Sequence, residues 1–255
     1  VNNTTSTFSG QQQPPVGSLA WQLDQPGVDG NKVVFLEASD AAGNVGTTSA
    51  QITLDKTAPT GTVSIQGGAA RINATTANVS FAYTLSDVAA FAVTTSAAGF
   101  PANCAGVTFT NGNAFPAQVT FAATSGGPEA RTVSVCTRDR AGNTALATAT
   151  TVLDQEFPTG AVTLNGGAQF TTSRSVTATV AAPADTAQIK TSFTGPGAVV
   201  PLDCTSAAGY GALPSPPTVA LTIGATSGAG SYTMQVCLKD SAGNVATSFN
   251  AGARY

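Results

Sequence analysis

A five-residue pattern, Asp-x-Ala-Gly-Asn, occurs three times in this chain, at Asp40–Asn44, Asp139–Asn143 and Asp240–Asn244, with spacings of 99 and 101 residues. No other feature restricts the fold as much, because self-similarity at a fixed period means that one structural unit is used repeatedly. The match continues around the pattern. Leu54-Asp55 recurs as Leu153-Asp154, Pro59-Thr60-Gly61 as Pro158-Thr159-Gly160, and Gly67-Gly68-Ala69 as Gly166-Gly167-Ala168. Cys104 and Cys136 recur as Cys204 and Cys237.

Within each repeat the apolar residues alternate. Met234, Val236 and Leu238 are interleaved with Thr233, Gln235, Cys237 and Lys239. A period of two predicts a strand with one apolar and one polar face. The equivalent positions are Val133, Val135 and Thr137 in the second copy and Val34, Leu36 and Ala38 in the first. The pattern that follows is turn chemistry. The carboxylates of Asp40, Asp139 and Asp240 can accept backbone N–H groups ahead of them. Gly43, Gly142 and Gly243, with Asn44, Asn143 and Asn244, tolerate positive φ. Each copy is therefore expected to join two antiparallel strands by a tight hairpin. Further strands are predicted at Val63–Ile65, Val79–Tyr83, Phe91–Thr95 and Val119–Phe121, and again at Val162–Leu164, Val176–Val180, Ile189–Phe193 and Val219–Ile223. No stretch carries a sustained helical period. About seven short strands in roughly 100 residues predict an all-β chain of tandem immunoglobulin-like β-sandwich domains.

Composition excludes several function classes. The 255 residues contain no histidine, which removes the commonest general base and the commonest transition-metal ligand. No Gly-x-Ser-x-Gly elbow, phosphate loop or usefully spaced carboxylate pair is present, so no enzyme is expected. Ten Lys and Arg, a net charge of −3 and no basic stripe argue against nucleic acid as a partner. No apolar run is long enough to predict a membrane span. The four cysteines are too far apart for a zinc cluster. Cys136 and Cys237 lie in the polar register of their strands, so the expected disulfides, Cys104–Cys136 and Cys204–Cys237, each tie a loop to the outer face of one domain. Free thiols are the competing reading. The regular cysteine pairs, the scarcity of Lys and the richness in Thr, Ser and Asn predict a secreted, extracellular or cell-surface location.

The pattern Leu-Asp-x-x-x-Pro-Thr-Gly, then Gly-Gly-Ala, then Asp-x-Ala-Gly-Asn, resembles the bacterial Ig-like repeats of large secreted or cell-surface, adhesin-type proteins, over residues 16 to 255. The cysteine pairs depart from the commonest version of the repeat, which has none. The resemblance implies a non-catalytic extracellular structural or adhesive module that acts as a stalk or spacer. Its partners would be neighbouring Ig-like units or other copies of the chain, with a host surface or glycan as a further class. Calcium stiffens the junctions of some such stalks, and Asp55 and Asp154 lie near junctions. Thirteen acidic residues without an acidic run read instead as turn caps. No cofactor or metal is therefore expected, calcium being the one ion such residues could take.

The repeat divides the chain into a complete unit at 56–154, another at 155–255, and only the C-terminal half of a unit at 16–55. This half has predicted strands at Leu19–Leu23, Lys32–Ser39 and Thr48–Leu54. Trp21 falls near the positions of Phe121 and Leu221 and is expected to face a core. Three strands of a seven-stranded sandwich leave an apolar face uncovered. Either an upstream segment once covered it or another chain does, which would make the protein a self-assembling filament or appendage subunit completed by strand addition. Residues 1–15 read as a flexible arm or an exchanged strand. A third reading is a carbohydrate- or ligand-binding sandwich that uses the loops Ala97–Ala117 and Gly195–Pro217.

Overall fold

The computed structural model describes residues 17–18, 20–23, 27–83, 88–112, 114–197 and 199–255. The expected arm at 1–15 lies outside the described residues. Every regular element longer than three residues is a strand.

The last unit is the plainest. Its strands are β11 (Ala161–Leu164), β12 (Ser175–Ala181), β13 (Thr186–Thr194), β14 (Gly211–Ala212), β15 (Thr218–Thr222), β16 (Ser231–Asp240) and β17 (Phe249–Arg254). They form two antiparallel sheets, ordered β11-β12-β15 and β14-β13-β16-β17. Val162, Leu164, Val176, Ala178 and Val180 come from the first sheet. They share one buried cluster with Ile189, Met234, Val236 and Leu238 from the second. Two sheets closed over one apolar layer, with sequence-adjacent strands distributed between them, make an immunoglobulin-like sandwich.

The middle unit repeats this order. Its strands are β3 (Gly61–Ile65), β4 (Arg71–Ile72), β5 (Thr76–Tyr83), β6 (Val88–Thr94), β7 (Thr110–Asn111), β8 (Gln118–Thr120), β9 (Glu129–Asp139) and β10 (Thr144–Leu153). The sheets run β3-β5-β8 and β4-β10-β9-β6-β7. The short β4 lies parallel to the end of β10, pairing Arg71 with Val152 and Ile72 with Leu153. In the last unit a single parallel bridge, Phe170 to Arg254, takes the same place.

Each complete unit opens on Pro-Thr-Gly, and the structure gives the reason for the glycine. A Cβ on Gly160 would lie 2.6 Å from Leu238 Cδ1 and 2.7 Å from the Ala181 carbonyl oxygen. One on Gly61 would lie 2.4 Å from the Phe81 ring and 2.9 Å from the Ala82 carbonyl. The first strand can enter the sheet only where no side chain intervenes. Gly160→Ala is therefore expected to destabilise the last unit by roughly 2 kcal/mol through overpacking, read from denaturant unfolding. Gly46→Ala, where a Cβ meets nothing within 4 Å, is the neutral control.

The first unit has two strands, β1 (Gly30–Ser39) and β2 (Val45–Leu54), paired from Gly30↔Leu54 to Ser39↔Val45. The structure corrects two expectations in this unit. The described residues of the predicted strand Leu19–Leu23 are irregular. Trp21 does not face a core: it is 44% exposed. Both follow from the lack, among the described residues, of an opposing sheet against which that segment could pack.

Candidate functional site

The repeated turn is built alike in all three copies. The Asp N–H donates to the Asn carbonyl four residues on, at 3.0 Å for Asp40 and 3.1 Å for Asp139 and Asp240. The Asp carboxylate then caps the turn. Asp240 Oδ1 accepts from the amides of Ala242, Gly243 and Asn244 at 2.9, 2.7 and 2.9 Å, and Oδ2 accepts from Asn244 Nδ2 at 2.8 Å. Gly243 holds φ +100°, and Gly142 and Gly43 hold similar values, which is why glycine recurs there. In the exposed first copy the Asn44 side-chain amide, followed by the Asn44 backbone N–H, lowers the Asp40 pKa below the ordinary carboxylate value. That contribution is present above the unfolded pKa and is lost as pH falls through the folded one.

In the two complete units the turn Asn has a second task. Asn143 Nδ2 donates to the Asp55 carbonyl at 3.1 Å and to the Thr57 carbonyl at 3.4 Å. Asn244 Nδ2 donates to the Asp154 carbonyl at 2.9 Å. The turn thus clips the Leu-Asp segment that leads into its own unit. The two halves of the repeat signature, about 90 residues apart in sequence, are one device.

At Asp154 this device becomes a charge centre. The Asp154 carboxylate is fully buried and meets Arg71 Nη1 at 3.0 Å, with the Glu156 amide on its other oxygen at 3.2 Å. Its own N–H donates to the Ile72 carbonyl at 2.8 Å. Asp154, Asp185 and Asp240 each place a carboxylate oxygen within 4.8 Å of the other two. The sequence shows no acidic run; the fold makes a cluster from residues far apart in the chain. Asp185 is a member of the cluster that sequence reasoning misses. Its only sequence signal is its place just before the strand that pairs with the turn. The donors are all oxygen, two of the three carboxylates are buried, and one guanidinium faces them, so charge and donor chemistry fit a hard divalent cation. Asp87, which precedes β6 as Asp185 precedes β13, lies outside the described residues.

The disulfides join Cys104 to Cys136 and Cys204 to Cys237, with Cα–Cα distances of 5.9 and 5.5 Å. Their setting differs from the one expected. Cys136 and Cys237 are completely buried, and Ser134 and Gln235 beside them in the polar register are buried too, whereas Thr132, Arg138, Thr233 and Lys239 are half-buried. The loop carrying Cys104 folds back over that face and makes a small second core with Ala92, Phe100, Val107, Phe109 and Leu146. Cations lie over an aromatic residue of each loop: Arg138 is 4.7 Å from the Phe109 ring centroid, and Lys190 and Lys239 are each 5.8 Å from that of Tyr210. The "outer" face of β9 is therefore an interior around Cys136, and that of β16 is buried at Gln235 and Cys237.

No protein-family model matches the chain, and no curated protein matches it. Among solved structures it is similar to the fibronectin(III)-like modules of Clostridium thermocellum CbhA, at 12% identity over 75% of this chain and 93% of that one, with a TM-score of 0.42. It is also similar to a tetra-tandem repeat from the extending region of a large adhesion protein (24% identity, 89% and 57% covered, TM-score 0.31). A third is a 1.5-MDa bacterial ice-binding adhesin (15% identity, 89% and 74% covered, TM-score 0.34). At these scores the likenesses carry no argument about function; the chain's own residues do.

Proposed function

We propose that this chain is an exported, non-catalytic structural module, a stalk or spacer in which immunoglobulin-like units follow one another at a cell surface. One observation carries the reading: the turn Asn of each complete unit is hydrogen-bonded to the backbone of the segment that enters that unit. A load applied along the chain would meet this clip first. The two disulfides suit the same role, because each closes over 30 residues that a load cannot extend. Among the described residues no helix is long and apolar enough to cross a membrane.

Single-molecule pulling tests the reading. The intact chain is expected to give two unfolding events with contour gains of roughly 20 nm each, rising to roughly 30 nm after reduction. Smooth extension at low force would sink the spacer reading. So would submillimolar binding of the intact chain to a glycan array, which would favour a ligand-binding sandwich.

Calcium at Asp154, Asp185 and Asp240 belongs to the same reading. Millimolar calcium is expected to raise the melting temperature of the last unit by roughly 5 °C or more, and chelator to reverse it. Asp185→Asn should abolish the shift while leaving both the Arg71–Asp154 pair and the turn in place. An unchanged melting curve with and without calcium would show that Arg71 alone balances the cluster.

A further inference from the structure

The junction of the two complete units shows how one immunoglobulin-like unit seats the next. The middle unit contributes the corner at β4. Arg71 Nη1 meets Asp154 Oδ2 at 3.0 Å, and the Ile72 carbonyl accepts the Asp154 N–H at 2.8 Å. Two residues past Arg71, the Asn73 side-chain amide approaches the turn of the last unit: a Cβ on Gly243 would lie 3.5 Å from Asn73 Nδ2. The contact joins the β4 corner of one unit to the Asp-x-Ala-Gly-Asn turn of the next.

The last unit carries the same corner with a different chemistry. Counted from the shared Gly-Gly-Ala, Phe170 takes the place of Arg71 and Thr172 that of Asn73. Phe170 is bridged to Arg254 as Arg71 is to Val152, so the corner keeps its place in the backbone. Phe170 is nevertheless 69% exposed. With Thr172, Arg254 and Tyr255 it lines a groove of about 640 Å³. Arg174 lies 5.0 Å from the Tyr255 ring centroid, so two guanidinium groups border aromatic surface here. Exposed aromatic and arginine side chains around one groove are the composition of a contact surface. The turn that fits it is the first copy of the pattern. Asp40–Asn44 is exposed along its whole length, whereas Asp240 and Asn244 are buried. Its backbone is the one seated at the internal junction, with the same bond from the Asp N–H to the Asn carbonyl and the same positive φ at the glycine. Its second residue is Ala41, where the turn at the internal junction has Ser241. Corner and turn thus differ from the internal pair in one direction, Phe for Arg on one side and Ala for Ser on the other. Asp40 is also opposite in sign to the two guanidinium groups.

We propose that the Phe170 corner seats the Asp40–Asn44 turn of a second copy of this chain, head to tail, so that copies extend the series of units. The contact uses a different patch on each copy and so does not stop at a two-fold dimer. A turn on a corner is a small contact, which makes the association weak. This inference deepens the spacer reading and rests on it, because it lengthens the same series by the contact that already joins two of its units.

Sedimentation equilibrium of the intact chain tests this. Its weight-average mass should rise at least about 2-fold between roughly 10 µM and roughly 1 mM. Phe170→Glu and Ala41→Arg, both at exposed positions, should each hold the chain at monomer mass with its melting temperature unchanged. An equimolar mixture of the two variants should regain mass up to a dimer and no further, because it contains one intact corner and one intact turn per pair. Monomer mass of the intact chain up to 1 mM would overturn the proposal. So would association that survives either substitution, or a mixture that stays monomeric. Pulling on single copies reads the spacer role whichever of these results is found, so the two readings fail separately.

Discussion

Replacing Asp240 by Ala should destabilise the last unit by roughly 4 kcal/mol, while the same change at Asp40 should cost far less. The sequences of the two turns are nearly identical, so the contrast isolates burial. Asp240 is 3% exposed and its carboxylate accepts four hydrogen bonds, two of them from the buried Asn244. Truncation leaves the two buried Asn244 donors without an acceptor, and each buried unsatisfied donor costs about 1–3 kcal/mol. It also frees the Asn244 side chain, whose amide is oriented by Asp240 Oδ2 as it reaches the Asp154 carbonyl. Around Asp40 the same donors are exposed and water replaces the lost acceptor. For a domain of this size the larger effect is a fall of roughly 20 °C in melting temperature. Equal losses at Asp40 and Asp240, measured by strand-resolved hydrogen exchange, would show that the turn acts only locally and that the linker clip contributes nothing.

Removal of a disulfide is the second large effect. Cys104→Ala with Cys136→Ala, and Cys204→Ala with Cys237→Ala, should each lower the stability of the unit concerned by roughly 3–4 kcal/mol. This is the chain-entropy value for closed loops of 32 and 33 residues. The second core under the Cys104 loop sharpens the expectation for the middle unit. Phe109 and Leu146 pack against the Cys104–Cys136 pair, so a loop released from its tether exposes apolar surface as well as gaining freedom. The loop amides should then lose exchange protection before the sandwich strands do. Global unfolding without that earlier loop phase would mean that the bridge stabilises the sandwich itself and not the covering loop.

Asp154, Asp185 and Asp240 mark the limit of what could be read from the chain alone. They are separated by 31 and 55 positions, and no local pattern joins them. They meet because Asp240 ends β16, Asp185 precedes the strand paired with it, and the turn Asn draws in the Asp154 backbone. Trp21 shows the opposite error. Its place in the repeat predicts burial, but burial depends on an opposing sheet, and the first unit has none among the described residues.

The repeat, its strands and its turns are legible in the linear pattern. Those depend on alternation, on glycine φ and on a capping carboxylate, all of which act over a few neighbouring residues. It took the folded chain to bury Ser134, Cys136, Gln235 and Cys237 in the polar register of β9 and β16, to set Gly61 and Gly160 against neighbouring carbonyls, and to bring three aspartates to one site. Each of these depends on atoms brought close by sheet pairing and loop closure across tens of residues, and a linear pattern carries no record of such distances.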